Sequence, residues 1–378
     1  VSLVPALVVA LPLLLAAQTI EEQEWHLDAL DVYSAQEQSR GEGVIVGVID
    51  SGVDAKHPDL AGRVLPGTGF GSAKGTDGTT DTDGHGTGMA AIIAGTGRNG
   101  GALGIAPGAK ILPVASAEKT QFALDVVADS IRWATDHGAK VINLSLGFTG
   151  STTPGLVKAV NYAMEKDVVL VAATGNEGRE VSSPANIGGV IAVAGTNRQG
   201  LPWKSSNVGA DTVLAAPAEG IVTASPESVY ESGYAEMDGT SAASAIVAGV
   251  AALVRAKHPD MAAKDVVNAL VRTATDLDRP GRDERTGFGL VDPVAAVSAQ
   301  LPPVERNPLL PPQKPSATPP AAVAQERPVQ PVVLRDRLPF VGATAGGVAV
   351  LTALLIALPA ARSRRRPVSA RDTPPTPW

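Results

Sequence analysis

Cysteine is absent from the 378 residues. Its absence excludes disulfides, thiolate nucleophiles and cysteine-ligated zinc or iron–sulfur centres together. It does not decide the compartment, because a large enough core survives outside a cell without cross-links. Aromatic residues make up only 3% of the chain, which disfavours the stacking platforms that single-stranded nucleic acid needs. The formal net charge of −7 leaves no basic excess to neutralise phosphates, so nucleic acid is not an expected partner. What the chain has in quantity is glycine, 40 residues, within a composition that is 44% hydrophobic. That balance suits a loop-rich α/β enzyme.

Charge is also missing from two long stretches. Val1 to Ala17, VSLVPALVVALPLLLAA, is almost wholly apolar. It reads as the hydrophobic centre of a secretory signal peptide with cleavage near Ala17; the alternative is a buried strand or helix. Phe340 to Ala361 holds no charged residue and exceeds the roughly 20 residues that cross a bilayer. Arg362, Arg364, Arg365 and Arg366 follow it, whereas Asp336 offsets Arg335 and Arg337 before it. The heavier basic flank predicts a cytoplasmic tail, 362–378, with the bulk of the chain outside the cell membrane. Residues 301–339 are rich in proline, alanine and glutamine. Such a stretch favours extended conformations and reads as a linker.

A globular region remains, with 18–40 as an N-terminal extension and 41–300 as the expected catalytic domain. Four apolar runs in it read as buried parallel strands: Gly43–Ile49, Lys140–Leu146, Asp167–Ala173 and Gly189–Gly195. Phe122, Val126, Val127, Ile131 and Ala134 recur at helical spacing before the second run. Leu156, Ala159, Val160 and Ala163 do so before the third. Strands alternating with helices predict an α/β fold with a doubly wound, mostly parallel sheet.

Three segments carry the chemistry. VIDSGVD ends an apolar strand on Asp50. DGHGTGMAAIIAG opens a helix on His85. DGTSAASAIVAGVAALV places Ser241 at the start of a long apolar helix. A serine hydroxyl attacks well only when a base removes its proton. Histidine suits that task near neutral pH, and a buried carboxylate fixes its tautomer and stabilises the imidazolium. A fourth segment, VAATGNEG, follows a strand and presents Asn176. Its amide and the Ser241 N–H form a candidate oxyanion site. This chemistry calls for no cofactor and no metal.

The order of the four segments and their separations resemble those of the subtilisin-like (S8) serine peptidases, from about Gly41 to Val297. The resemblance implies an endopeptidase with Asp50, His85 and Ser241 as triad and Asn176 as oxyanion donor. It further implies that Ser145, Leu146 and Gly147 pair with an extended substrate, with Ala172, Ala173 and Thr174 as another pocket wall. Val181 to Ala185, on the opposite side, is too divergent to read. EWHLDALDVYSAQEQSRGEGVIVGVIDSGVDAKHPDLAG narrows the resemblance to the mycosins, the subtilisin-like proteases associated with type VII secretion in actinobacteria. That likeness implies a single-pass membrane protein beside a type VII secretion complex, acting on peptide or protein substrates. The chain departs from the wider family at Ala245, where proline is usual, at Ile246, and at Gly88, where a second histidine is common. None of these removes a reacting group.

Other polar residues fit structural roles. His57 in HPDL reads as a turn residue, Asp54 as a loop carboxylate, and His26, His137 and His258 as packing or surface histidines. Asp77, Asp81 and Asp83 read as a solvated acidic loop rather than a calcium site. Asn143 heads a formal glycosylation triplet inside a predicted buried strand. A rival function is a structural partner of a secretion complex with weak or dispensable proteolysis. A lipase or esterase is disfavoured because no G-x-S-x-G elbow surrounds Ser241.

Overall fold

The computed structural model describes residues 18–311 except 119–120, 151 and 278–279. The expected signal peptide, the membrane span at 340–361 and the cytoplasmic tail lie outside these residues.

Two short helices, α1 (Trp25–Ala29) and α2 (Val32–Gln38), precede β1 (Ile45–Asp50), β2 (Thr68–Gly69), α3 (His85–Ala94) and β3 (Lys110–Ala115). A small hairpin, β4 (Ala117–Glu118) and β5 (Gln121–Phe122), leads into α4 (Leu124–Asp136), β6 (Val141–Leu144), α5 (Pro154–Glu165), β7 (Val169–Ala173) and β8 (Ile191–Thr196). Then come β9 (Leu214–Pro217), the antiparallel pair β10 (Ile221–Ala224) and β11 (Tyr234–Met237), and the helices α6 (Thr240–Lys257), α7 (Ala263–Thr273) and α8 (Pro293–Ser298). Seven strands form one sheet in the order β2-β3-β1-β6-β7-β8-β9, every pair parallel.

The order decides where a ligand can sit. From β1 the chain steps to β3 on one side, then back past β1 to β6 on the other. Right-handed crossovers in opposite directions put their helices on opposite faces. Accordingly α3 packs with α6 on one face, and α4 packs with α5 on the other. The strand order reverses between β1 and β6, and the crevice beyond the carboxyl ends of strands at such a switch point is where α/β sheets bind ligands. Asp50 is the last residue of β1, and Ser145 immediately follows β6.

The four predicted strand runs all form sheet strands. Leu156, Ala159, Val160 and Ala163 form the buried stripe of α5. Phe122 differs from expectation, because it lies in β5 and the helix begins two residues later. Helix α6 is buried from Ala242 through Arg255. Its small residues let it lie close to its neighbours: a Cβ on Gly249 would stand 2.6 Å from the Cβ of Ile105. Among the described residues α6 is also the one helix long and apolar enough to cross a membrane. With 83% of it buried, it is the core helix of the domain.

Residues 18–40 are packed into the same core. Leu27, Leu30, Val32 and Ala35 are buried, and the Gln36 amide donates to the carbonyls of Gly104 and Ile105. At the other end, Val304 N donates to Asp265 and the Asn307 amide donates to Gly189 O at 3.0 Å. The first part of the proline-rich stretch therefore lies against the domain.

Candidate active site

β1 delivers Asp50 fully buried at its carboxyl end, and α3 begins on His85. His85 Nδ1 stands 2.8 Å from Asp50 Oδ1. That oxygen also accepts from Ser51 N at 2.8 Å. With a carboxylate as acceptor, Nδ1 carries the proton and Nε2 is left as the basic nitrogen. Gly86 makes the approach of helix to strand feasible: a Cβ there would stand 2.1 Å from Gly52 O and 3.0 Å from Asp50 Cβ.

Burial works against the charged imidazole of His85. The charge of Asp50 and its hydrogen bond, helped by Asp83 and Asp81, outweigh burial and push the His85 pKa up to about 8.

Ser241 is the second residue of α6, where the free N–H groups and the helix dipole favour negative charge. Its hydroxyl donates to Ser145 O at 3.3 Å. The Ser145 hydroxyl turns inward instead, donating to Ser241 O at 2.9 Å, bonding Ser244 Oγ at 2.9 Å and accepting from Asn143 Nδ2. Asn143, on buried β6, is thus part of this internal network. Asn176 Oδ1 accepts from Thr240 N and Thr240 Oγ1, both at 2.9 Å. Committing the oxygen in this way leaves the Asn176 NH₂ free as donor. His85, Asn176 and Ser241 border one cleft.

The expected substrate segments lie elsewhere around the centre. Ser145 and Leu146 are buried and Gly147 is exposed. Ala172 and Ala173 end β7, and Thr174 N donates to Val193 O. The unreadable stretch at Val181–Ala185 closes against both. Ser182 N donates to Thr174 O, and Phe148 and Ser183 exchange backbone bonds. Ser182 also packs so close to Gly147 that a Cβ there would meet it at 3.1 Å.

One supporting group escaped the motif reading. Asp81 is only 6% exposed, not part of a solvated acidic loop. Its Oδ1 accepts from Ser51 Oγ, Asp83 N and Gly84 N, each at 3.0 Å. Its Oδ2 accepts from Thr87 N at 2.9 Å and Thr87 Oγ1 at 2.7 Å. Ser51 Oγ in turn accepts from Gly86 N. The carboxylate thus ties the strand end carrying Asp50 to the helix start carrying His85. The available signal was its place four residues before His85. The carboxylate of Asp77, by contrast, is exposed and among the described residues bonds only Thr79, two residues on.

The remaining histidines are structural. His57 caps the turn at Pro58–Leu60, its Nδ1 accepting from Asp59 N and its Nε2 bonding Gly233 O at 2.9 Å. His137 stacks on Trp133, and His258 Nε2 bonds Val297 O at 2.9 Å.

This chain belongs to the subtilase family (peptidase S8), whose profile matches residues 41–289. It is a subtilisin-like serine endopeptidase. Subtilisin DY of Bacillus licheniformis is 36% identical over 263 residues, 68% of this chain and 92% of that protein. Mycosin-3 of Mycobacterium tuberculosis is 35% identical over 407 residues, covering 89% of this chain and 84% of that one. Among solved structures, the MycP3 protease from the type VII (ESX-3) secretion system superposes with a TM-score of 0.65 at 33% identity, over 72% of this chain and 87% of that chain.

Proposed function

We propose that Ser241 is the nucleophile, His85 the general base and then acid, Asp50 the group that orients it, and Asn176 with Ser241 N–H the oxyanion donors. The observation that carries this reading is the 2.8 Å bond between buried Asp50 and His85, opening on a cleft shared with Ser241 and Asn176. The Ser241 hydroxyl leaves the Ser145 carbonyl and gives its proton to His85 Nε2 as Oγ attacks the peptide carbonyl. Asp50 stabilises the imidazolium, and the carbonyl oxygen charges against the two donors. His85 then protonates the departing amine, and water cleaves the acyl-enzyme by the same steps in reverse order. Ser145, Leu146 and Gly147 hold the substrate backbone on the acyl side, with Ala172, Ala173 and Thr174 as pocket wall.

The cellular setting in this reading is the outer side of a membrane. Residues 1–17 act as a leader, 41–300 as the peptidase domain, 301–339 as a linker and 340–361 as a single span with 362–378 in the cytoplasm. The likeness to mycosin-3 over most of the chain supports a place beside a type VII secretion complex.

Labelling the folded protein with a fluorophosphonate, beside Ser241→Ala, tests the site. Labelling lost in the variant alone is expected. A folded protein that takes no label would overturn the assignment and favour the scaffold role.

A further inference from the structure

We propose that Trp25, in the N-terminal segment, is a positioning residue for the oxyanion site: through the turn at 218–220 it fixes the chain leading into Thr240, and through Thr240 the Asn176 amide. The proposal rests on the catalytic reading above and deepens it.

The path begins at the indole. Trp25 is half-buried at the start of α1, and its Nε1–H donates to the carbonyls of Glu219 and Gly220, both at 3.1 Å. These residues join β9 of the large sheet to β10 of the separate pair, so side chains rather than a strand ladder take up their carbonyls. Gly220 O also accepts from Arg198 Nη2 at 3.2 Å, and the Arg198 guanidinium lies over the Trp25 ring, 5.5 Å from its centroid. The ring and its N–H thus act on the same turn.

Two bonds tie that turn to the approach of Ser241. Gly239 N donates to Ala218 O at 2.7 Å, between two buried residues, and Gly220 N donates to Asp238 Oδ1 at 2.6 Å. Thr240 follows directly, and its N–H and hydroxyl hold Asn176 Oδ1. The junction is close: a Cβ on Gly239 would stand 3.2 Å from Asn176 Nδ2. A shift of the 218–220 turn therefore reaches the amide through Gly239 and Thr240. An oxyanion donor must be held within about 0.5 Å of its productive position, so a loosened turn costs rate without removing any reacting group.

The test uses the full chain. Trp25→Phe keeps a ring beside Arg198 and removes the N–H. On a peptide amide substrate kcat should fall about three- to tenfold, as for one hydrogen bond, with KM near the parent value, because the oxyanion charges only after binding. The pH limb set by His85 should stay in place, since the path ends at Asn176 rather than at Asp50. In an Asn176→Ala background Trp25→Phe should cost little further, because the donor it aligns is already gone. Asp238→Ala, at an exposed position, cuts the same path further on and should also lower kcat. A parent kcat in folded Trp25→Phe, or an equal loss with and without Asn176, would overturn the proposal. If Trp25→Phe does not fold, Asp238→Ala decides: an unchanged kcat there overturns it. Fluorophosphonate labelling separates the two levels. A parent that labels while its folded variants keep the parent kcat sinks the positioning role alone, whereas a folded parent that takes no label sinks the catalytic reading and this proposal with it.

Discussion

Replacing Asp81 with alanine removes one acceptor from five hydrogen bonds at once. Thr87 is fully buried, so its N–H and hydroxyl lose their partner with no water to replace it. The N–H groups of Asp83 and Gly84 are partly buried, and they can recover part of their loss from solvent. An orphaned buried donor costs about 1–3 kcal/mol, and the carboxylate also sits against the positive end of α3. Counting Thr87 in full and the rest at a discount gives a loss of about 3–5 kcal/mol. The damage should extend to chemistry, because Asp81 joins Ser51 to Thr87 and so holds His85 in register with Asp50. Urea unfolding measures the first effect, and the rate of fluorophosphonate labelling measures the second. Asp77→Ala is the control, since the exposed Asp77 carboxylate bonds only half-buried Thr79 among the described residues, and its midpoint should move far less. A loss below about 1 kcal/mol in Asp81→Ala, with labelling at the parent rate, would refute the idea that this carboxylate builds the site.

Two pH effects follow from buried groups. His85 is held up at about 8, and in the proposed mechanism only its neutral form accepts the Ser241 proton, so kcat/KM should climb as pH rises through about 8. Asp83→Asn removes one of the charges that raise it and should move this limb to lower pH; a limb that stays in place would refute the electrostatic account. The same shift stabilises the fold fully below 6.5 and loses that contribution as pH rises through about 8. In the N-terminal segment, burial pushes Glu24 up from 4.5 to about 9, against the opposing bond from Leu103 N. Burial pushes His26, whose ring nitrogens have no partner among the described residues, down from 6.5 to about 3. Folding therefore takes up a proton at Glu24 above 4.5 and releases one from His26 below 6.5. Docking of this segment should be firmest between those two values. Glu24→Gln should reduce the alkaline loss of melting temperature, and an unchanged slope would count against the assignment.

The contrast between Asp50 and Asp81 explains how far the sequence could be read. Asp50 ends a run of apolar residues, and the run announces both the strand and its carboxyl end. His85 and Ser241 are likewise marked by the glycines and apolar helices around them. A parallel sheet buried on both faces writes its strands as continuous apolar stretches, so β1, β6, β7 and β8 were legible. Asp81 sits among Asp77 and Asp83 in a stretch that looks uniformly polar. Only the fold distinguishes the carboxylate that turns inward toward Thr87 from the exposed one that bonds Thr79. The same holds for Thr240, whose part in orienting Asn176 depends on two loops meeting across the sheet, and for Ser182, brought under Gly147 from a divergent loop. Residues 18–40 read as an N-terminal extension, and only the fold shows that Leu27, Leu30, Val32 and Ala35, from two short helices on either side of Asp31, are buried in the core of the domain. The proposed reacting groups lie at the ends of regular elements, where periodicity stops and can be seen to stop. The groups that hold them in place come from loops, where nothing local records which side chain faces inward.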